Sequence, residues 1–274
     1  MDLFHYTSSG AVRGMLVNGE VWASKIQHLN DEKEYIQYID HVERVAKASF
    51  DPKITEESAY LDDLYEVTAS LRSANIFITS FTEEGDLLSQ WRGYCPLGGY
   101  SIGLSSEGLA SAIESSGLYF GKAKYHLPDD NETRELLEAA FRDYRSTYNL
   151  NPDDDNRLRS FDRVANDIIR EGPKFKHPGF AEEREWRLHS PVLDWEDPRV
   201  DVVEIRGRLR PIIKVKIHLA ESGTSEPGSC RITKCVVSPG PDGRLRREGI
   251  LFLLRKNRLA YDSIENSATP YNPR

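Results

Sequence analysis

Cysteine is scarce: the 274-residue chain has three, Cys95, Cys230 and Cys235. An odd, low count with no CxxC pair argues against a disulfide framework and supplies no zinc ligand set, so no metal is expected. Long apolar runs are missing as well. The longest, such as "GILFLL", fall far short of the ~20 residues a membrane helix needs. "MDLFHYTSSG" has no basic region ahead of an apolar one, so no signal peptide is expected and the chain reads as soluble and cytoplasmic, with no membrane partner. Cations are outnumbered, 36 Lys and Arg against 44 Asp and Glu, for a net charge of −8. That balance argues against a basic footprint over the whole surface, while leaving a local basic cleft open. The phosphate-loop GxxxxGK[ST], a GxGxxG after a strand, HExxH and GxSxG are all absent. An acidic residue followed by an E-x-K strand, as a metal nuclease needs, is poorly supplied by "VEIRG" and "IIKVK".

The remaining pattern alternates between strands and helices. Leu3–Thr7 alternates as a strand; Ser8 or Ser9 caps a short helix over Ala11–Val17, and Asn18-Gly19 ends it. Glu20–Ser24 is a second strand. Asn30 or Asp31 is the expected N-cap of a helix reaching Phe50, with Glu34 in the capping-box position relative to Asp31. A helix over Glu56–Ser73 precedes the strand Asn75–Thr82, a short helix over Asp86–Tyr94 and the strand Tyr100–Leu104. Ser105 caps another helix, Leu118–His126 is a strand, and helices near Glu132–Tyr148 and Asn156–Arg170 follow. Strands are expected at Glu183–His189, Val200–Ile205, Pro211–His218 and Arg231–Ser238, then a helix near Gly243–Lys256 and an extended tail. The spacing predicts an α+β fold, a mixed or antiparallel sheet of roughly seven to nine strands flanked by helices. Residues 1–274 are read as one domain, with 127–175 a helical insertion.

Four stretches could carry chemistry. "FHYTS" puts His5 and Thr7 on one strand face, able to meet a ribose or phosphate or simply to satisfy a buried imidazole. "ITSFT" puts Ser80 and Thr82 on one face, as small hydroxyl donors or as a strand end leaving the core. "SQWRGYCPLGGYSIGL" places Trp91 and Tyr94 three apart on a helix, with Arg92 between them and the Gly98-Gly99 turn beyond. Those residues could stack a planar ring and grip a phosphate, or form a hydrophobic cluster under a turn. In "AEEREWRLHS", Glu183 and Glu185 are two apart, which in a strand aims both carboxylates one way. Like charges so placed are costly unless something positive or protic sits between them. Arg187, on the same face, can pair with Glu185; Trp186, opposite, would anchor the strand in the core. An exposed edge strand with an ordinary ion pair fits the same residues.

Taken in order, "LFHYT", "VWASKIQHLND", "TSFT", "WRGYCPLGGYSIGL", "AKYH", "EREWRL" and "SPGP" resemble a bacterial family, domain of unknown function 2971. The resemblance covers most of the chain outside the helices at 32–73 and 127–175. The H-x-T, hydroxyl strand, aromatics and late E-x-E also resemble the ADP-ribosyltransferase superfamily. That second resemblance implies a split sheet core with helical insertions, NAD as substrate and no metal. It implies cleavage of the nicotinamide–ribose bond, with transfer of ADP-ribose to an unknown acceptor (protein, nucleic acid or small molecule) or to water. On it, Glu185 is the catalytic glutamate and Glu183 the acceptor-side carboxylate. His5 and Thr7 hold the adenosine ribose, Ser80 and Thr82 line the nicotinamide side, Tyr94 or Trp91 stacks on the ring, and Arg92 meets phosphate. Tyr100 competes with Tyr94 for the stacking role. The first family's frequent neighbourhood with defence genes implies an antiviral or toxin effector. A non-enzymatic nucleotide- or peptide-binding module and a nuclease-like effector are the rival readings, and the oligomeric state is open.

Overall fold

The computed structural model describes residues 1–29, 33–114, 116–150, 155–205, 207–223 and 228–270. Ten strands form an open, mostly antiparallel sheet with helices packed against it. They are β1 (Asp2–Thr7), β2 (Glu20–Lys25), β3 (Phe77–Thr82), β4 (Tyr100–Ser105), β5 (Tyr119–Lys122), β6 (Glu185–His189), β7 (Val200–Ile205), β8 (Arg208–Lys216), β9 (Ile232–Val237) and β10 (Tyr261–Asn266). The path runs β10-β9-β4-β1-β3-β2-β8-β7. β3 is its branch point. Thr82 pairs with β1, Phe77 and Ile78 pair with β2, and Ile78–Thr82 pair with β6, which carries β5 beside it. β9 and β10 are the one parallel pair among the described strands. β10 was expected only as extended tail: with residues such as Asp262, Ser263 and Glu265 it is an edge strand, held by its backbone rather than by an apolar face.

Alternation along the central strands divides the packing. Leu3, Phe77, Phe81, Ile102 and Leu188 point to one face, where α1 (Ser9–Asn18), α5 (Ser106–Glu114) and α8 (Gly243–Lys256) contribute Val12, Leu16, Leu109, Ile113, Ile250 and Leu254. On the other side, α2 (Lys33–Ser49), α3 (Thr55–Arg72), α6 (Asp130–Leu150) and α7 (Asp162–Glu171) bury a second core that reaches Ile78 of β3. The stretch expected as an insertion therefore packs as a helical layer with α2 and α3. A third, small cluster gathers Phe4, Tyr6, Trp91, Cys95 and Val236 around α4 (Leu88–Tyr94). Ser8 caps α1 as expected, accepting from the Ala11 amide, and Gly19 closes it in the left-handed conformation. The N-cap assigned to Asn30 or Asp31 lies outside the described residues. The three cysteines are buried, and none forms a disulfide among the described residues. Among the described residues no helix is long and apolar enough to cross a membrane.

Tyr60 is the hub of the second core. Its ring stacks on Phe161 at 5.0 Å and meets Phe50, Phe141 and Tyr144 edge-on or tilted. Its hydroxyl donates to the Leu137 carbonyl at 2.9 Å. Tyr60→Ala opens a cavity and removes a hydrogen bond to that carbonyl, so it should cost about 3–5 kcal/mol. Urea unfolding followed by circular dichroism checks this; a loss below about 1 kcal/mol would contradict the hub role.

Candidate functional site

β6 starts later than the spacing predicts. Residues Pro178–Glu183 form a short 3-10 helix, Arg184 turns the chain with φ 42°, and the strand begins at Glu185. Glu183 thus precedes the strand, yet the turn still brings it to Glu185. The joint is held by Thr82, whose hydroxyl donates to the Glu183 carbonyl at 2.5 Å. The Glu185 amide donates to the Tyr125 hydroxyl at 2.9 Å.

What lies between the glutamates is Lys176. Its ammonium pairs with Glu183 at 2.5 Å and also with Glu185. Glu185 is further held by the Arg187 guanidinium (Nε, 2.8 Å) and by the Ser80 hydroxyl, which donates to the same carboxylate oxygen. Arg187 in turn pairs with Glu34 at 2.5 Å and donates to the carbonyls of Phe175 (2.6 Å) and Pro173 (2.9 Å). Three carboxylates and two cations are therefore buried together, with Glu185 only 2% exposed. Burial alone would raise the Glu185 pKa, but Arg187 and Lys176 outweigh it and bring it down to about 2. For Glu34 burial wins, and its pKa is raised despite Arg187. Lys176 is raised: burial opposes its charge, and the Glu185 carboxylate overcomes that.

Tyr94 connects this cluster to solvent. As a whole residue it is 37% exposed, while its hydroxyl is desolvated near Glu185, Lys176 and Glu183 and is pushed up to about 12. It therefore stays protonated at neutral pH. Phe180, also exposed, lies over Lys176 with Nζ 5.2 Å from the ring centre. Chemically, the cluster offers a protic phenol, a fixed ammonium and Glu183, whose Oε1 makes no hydrogen bond among the described residues.

Ser80, Thr82, Glu183, Glu185, Arg187 and Tyr94 are brought together. His5 and Thr7 are not. Phe4 lies opposite Thr82 in the register, so Phe4 and Tyr6 share the face of Ser80 and Glu185, and His5 points away. Its ring meets Phe81 at 5.5 Å, and Nδ1 lies 3.0 Å from the Ser80 carbonyl. Burial lowers its pKa. Trp91 also departs from the expected role. It is completely buried, edge-on to Tyr6 at 4.6 Å, with its indole N–H donated to Asp86 at 2.7 Å. A ring committed to the core cannot stack on a ligand, so Trp91 and Tyr94, three apart on α4, serve opposite ends of that helix's environment. Tyr100 faces the first core, its hydroxyl donating to the Arg246 carbonyl at 3.1 Å, so of these two tyrosines it is Tyr94 that lies beside the glutamates. Arg92 is exposed on α4.

The Gly98-Gly99 turn has a packing explanation rather than a phosphate-gripping one. A side chain on Gly98 would collide with the Arg246 guanidinium, and one on Gly99 with the Thr7 carbonyl. Gly99 exchanges hydrogen bonds with Ser238 of "SPGP", N–H to Oγ at 2.9 Å and O from N–H at 3.1 Å. An open cleft of about 380 Å³ lies at that loop, lined by residues such as Pro239, Arg244 and Thr269, apart from the glutamates. Lys176, Glu34 and Tyr125 escaped sequence reading. Lys176 lies in an aperiodic stretch between α7 and β6, Glu34 occupies a capping-box position, and Tyr125 falls within "AKYH".

A model of the family described as Protein of unknown function (DUF2971) matches residues 90–188. That stretch runs from Gln90 in α4 to Leu188 in β6 and contains Tyr94, Tyr125, Lys176, Glu183, Glu185 and Arg187. The chain is similar to that family over these residues. No curated protein and no solved structure matches the chain.

Removing Arg187 takes the cation from buried Glu34 and one of two cations from Glu185. Arg187→Met should cost about 3–5 kcal/mol. The pH dependence has a definite sign. Glu185 has a folded pKa near 2 against an ordinary 4.5, so its contribution is complete above pH 4.5 and is lost as pH falls toward 2. His189, lowered by burial to about 4 from 6.5, also destabilises the fold as pH falls through that window. Glu34 acts in the opposite sense. Wild-type stability should decline below pH 6.5 and more steeply below 4.5, and Arg187→Met should flatten the lower part. Urea midpoints across pH test this; an unchanged acid limb in the variant would contradict it.

Proposed function

We propose that the chain is an enzyme that cleaves the nicotinamide–ribose bond of NAD and passes ADP-ribose to an acceptor, at the site capped by Tyr94. The observation that carries this reading is the convergence of Glu183 and Glu185 on Lys176 beside the partly exposed Tyr94. Departure of neutral nicotinamide leaves positive charge on the ribose, and a carboxylate placed there stabilises that charge where it develops.

The geometry redistributes the roles. Both Glu185 oxygens are engaged by cations or by Ser80, so its charge is already answered. Among the described residues Glu183 Oε1 makes no hydrogen bond, which makes it the better candidate for the ribose. Glu185, Arg187 and Lys176 then position it, Tyr94 supplies a ring face and a protic hydroxyl, and Ser80 buttresses Glu185. His5 and Thr7 take no part on this face, and neither does Trp91.

A specific observation favours a second reading, a binding module without chemistry. Every cation in the cluster is matched by carboxylate, as in a structural ion network. One assay separates the two. Wild-type protein is incubated with NAD labelled in the adenine, and free nicotinamide, free ADP-ribose and labelled macromolecules are read separately. The enzyme reading expects nicotinamide release, reduced roughly 10²–10³-fold in Glu183→Gln assayed at a temperature where circular dichroism shows the variant folded. Tyr94→Ala should raise KM more than it lowers kcat. NAD binding by calorimetry with no release by wild type would favour the binding module. Neither binding nor release would sink both.

A further inference from the structure

α8 carries the opposite charge from the chain as a whole. "GRLRREGILFLLRK" has five cations, Arg244, Arg246, Arg247, Arg255 and Lys256, against one carboxylate, Glu248, and Arg258 follows. Arg246 is turned inward toward Gly98 and lies 3.7 Å from Asp242, and Arg247 donates to the Ile264 carbonyl. Arg244, Arg255, Lys256 and Arg258 are exposed and form no ion pair among the described residues. Ile250 and Leu254 face the core, so the opposite side of α8 points away from it.

That outer side is not simply basic. Leu245 and Phe252 are 59% and 74% exposed. Seven residues apart, they lie on one line of the helix, about 10 Å apart along its axis. Arg255 and Lys256, three and four residues beyond Phe252, flank it, and Arg244 adjoins Leu245. Leu97, 84% exposed, neighbours the Gly98 that packs on Arg246.

We propose that this ridge docks on an anionic lipid surface, with Phe252, Leu245 and Leu97 entering the headgroup region and Arg244, Arg255, Lys256 and Arg258 meeting lipid phosphates and carboxylates. Charge complementarity and shape choose this occupant. A convex ridge of apolar tips between cations suits a deformable surface that is anionic outside and apolar beneath. The adjoining groove between α1 and α8 is only about 210 Å³, too small to seat a partner helix. A nucleic acid would satisfy the cations and leave the leucines in water. The acidic remainder of the chain is screened beyond roughly 8–10 Å at physiological salt, so local charge governs contact. The proposal runs against the expectation from sequence of no membrane partner, and it is independent of the NAD reading.

Flotation of the full chain with phosphatidylcholine vesicles, with and without phosphatidylserine, tests it. Binding should require phosphatidylserine, vanish at high salt, and weaken roughly tenfold or more in the double variant Arg255→Glu, Lys256→Glu. Phe252→Ser should weaken it at unchanged charge, and circular dichroism melting confirms that both variants remain folded. Failure of wild type to float, equal binding to neutral vesicles, or binding unmoved by either variant would overturn the proposal. So would sedimentation showing that Phe252 instead mediates self-association of the chain without vesicle binding.

Discussion

The ion pair between Glu185 and Arg187 is the constraint on which the rest of the site depends. Both are on β6, two residues apart, so the strand presents them to one face, and both are almost wholly buried. Neither charge could stay there alone. Arg187 has more donors than one carboxylate can use, and the excess fixes Glu34 at the start of α2 and the carbonyls of Pro173 and Phe175. One side chain thereby ties the sheet to the helical layer and to the loop that delivers Lys176. Lys176 then joins Glu185 to Glu183, and the exposed edge of the site is set by that second link.

This arrangement explains why the cluster sits where it does. β3 is the branch of the sheet and β6 lies against it along Ile78–Thr82, so strand register sets Thr82 opposite Glu185 and Ser80 opposite Arg187, and the turn at Arg184 brings Glu183 to the same place. α4 follows β3 after a short turn and carries Tyr94 back over the same face, while Trp91 anchors the helix from beneath. Fold and site are thus one construction: the residues that hold the helix in place are one turn away from the residue it presents.

Much of this was legible in the sequence, because it follows from local periodicity. The strand around Ser80, the cap at Ser8, the glycine end at Gly19 and the pairing of Arg187 with Glu185 all depend on near neighbours. What was not legible depends on distant ones. Strand alternation gives the face of His5 relative to Thr7, but only the pairing of Phe4 with Thr82 reveals that His5 and Ser80 face opposite ways. Helical spacing put Trp91 and Tyr94 together, yet burial separated them, since a small cluster with Tyr6 and Val236 claimed the indole. Lys176 gave no local signal, because a lysine in a loop reads as solvated until something acidic is buried beside it. β10 was missed because an edge strand with polar side chains has no pattern to announce it.

The central claim is that Glu185, Lys176 and Arg187 act as one energetic unit rather than as neighbouring ion pairs. A double-mutant cycle on stability, with Glu185→Gln and Lys176→Met singly and together, measures that coupling. The account predicts a double variant far less damaged than the sum of the singles, with a coupling energy above about 2 kcal/mol. Additivity within about 0.5 kcal/mol would contradict it, because the two charges would then be stabilised independently of each other.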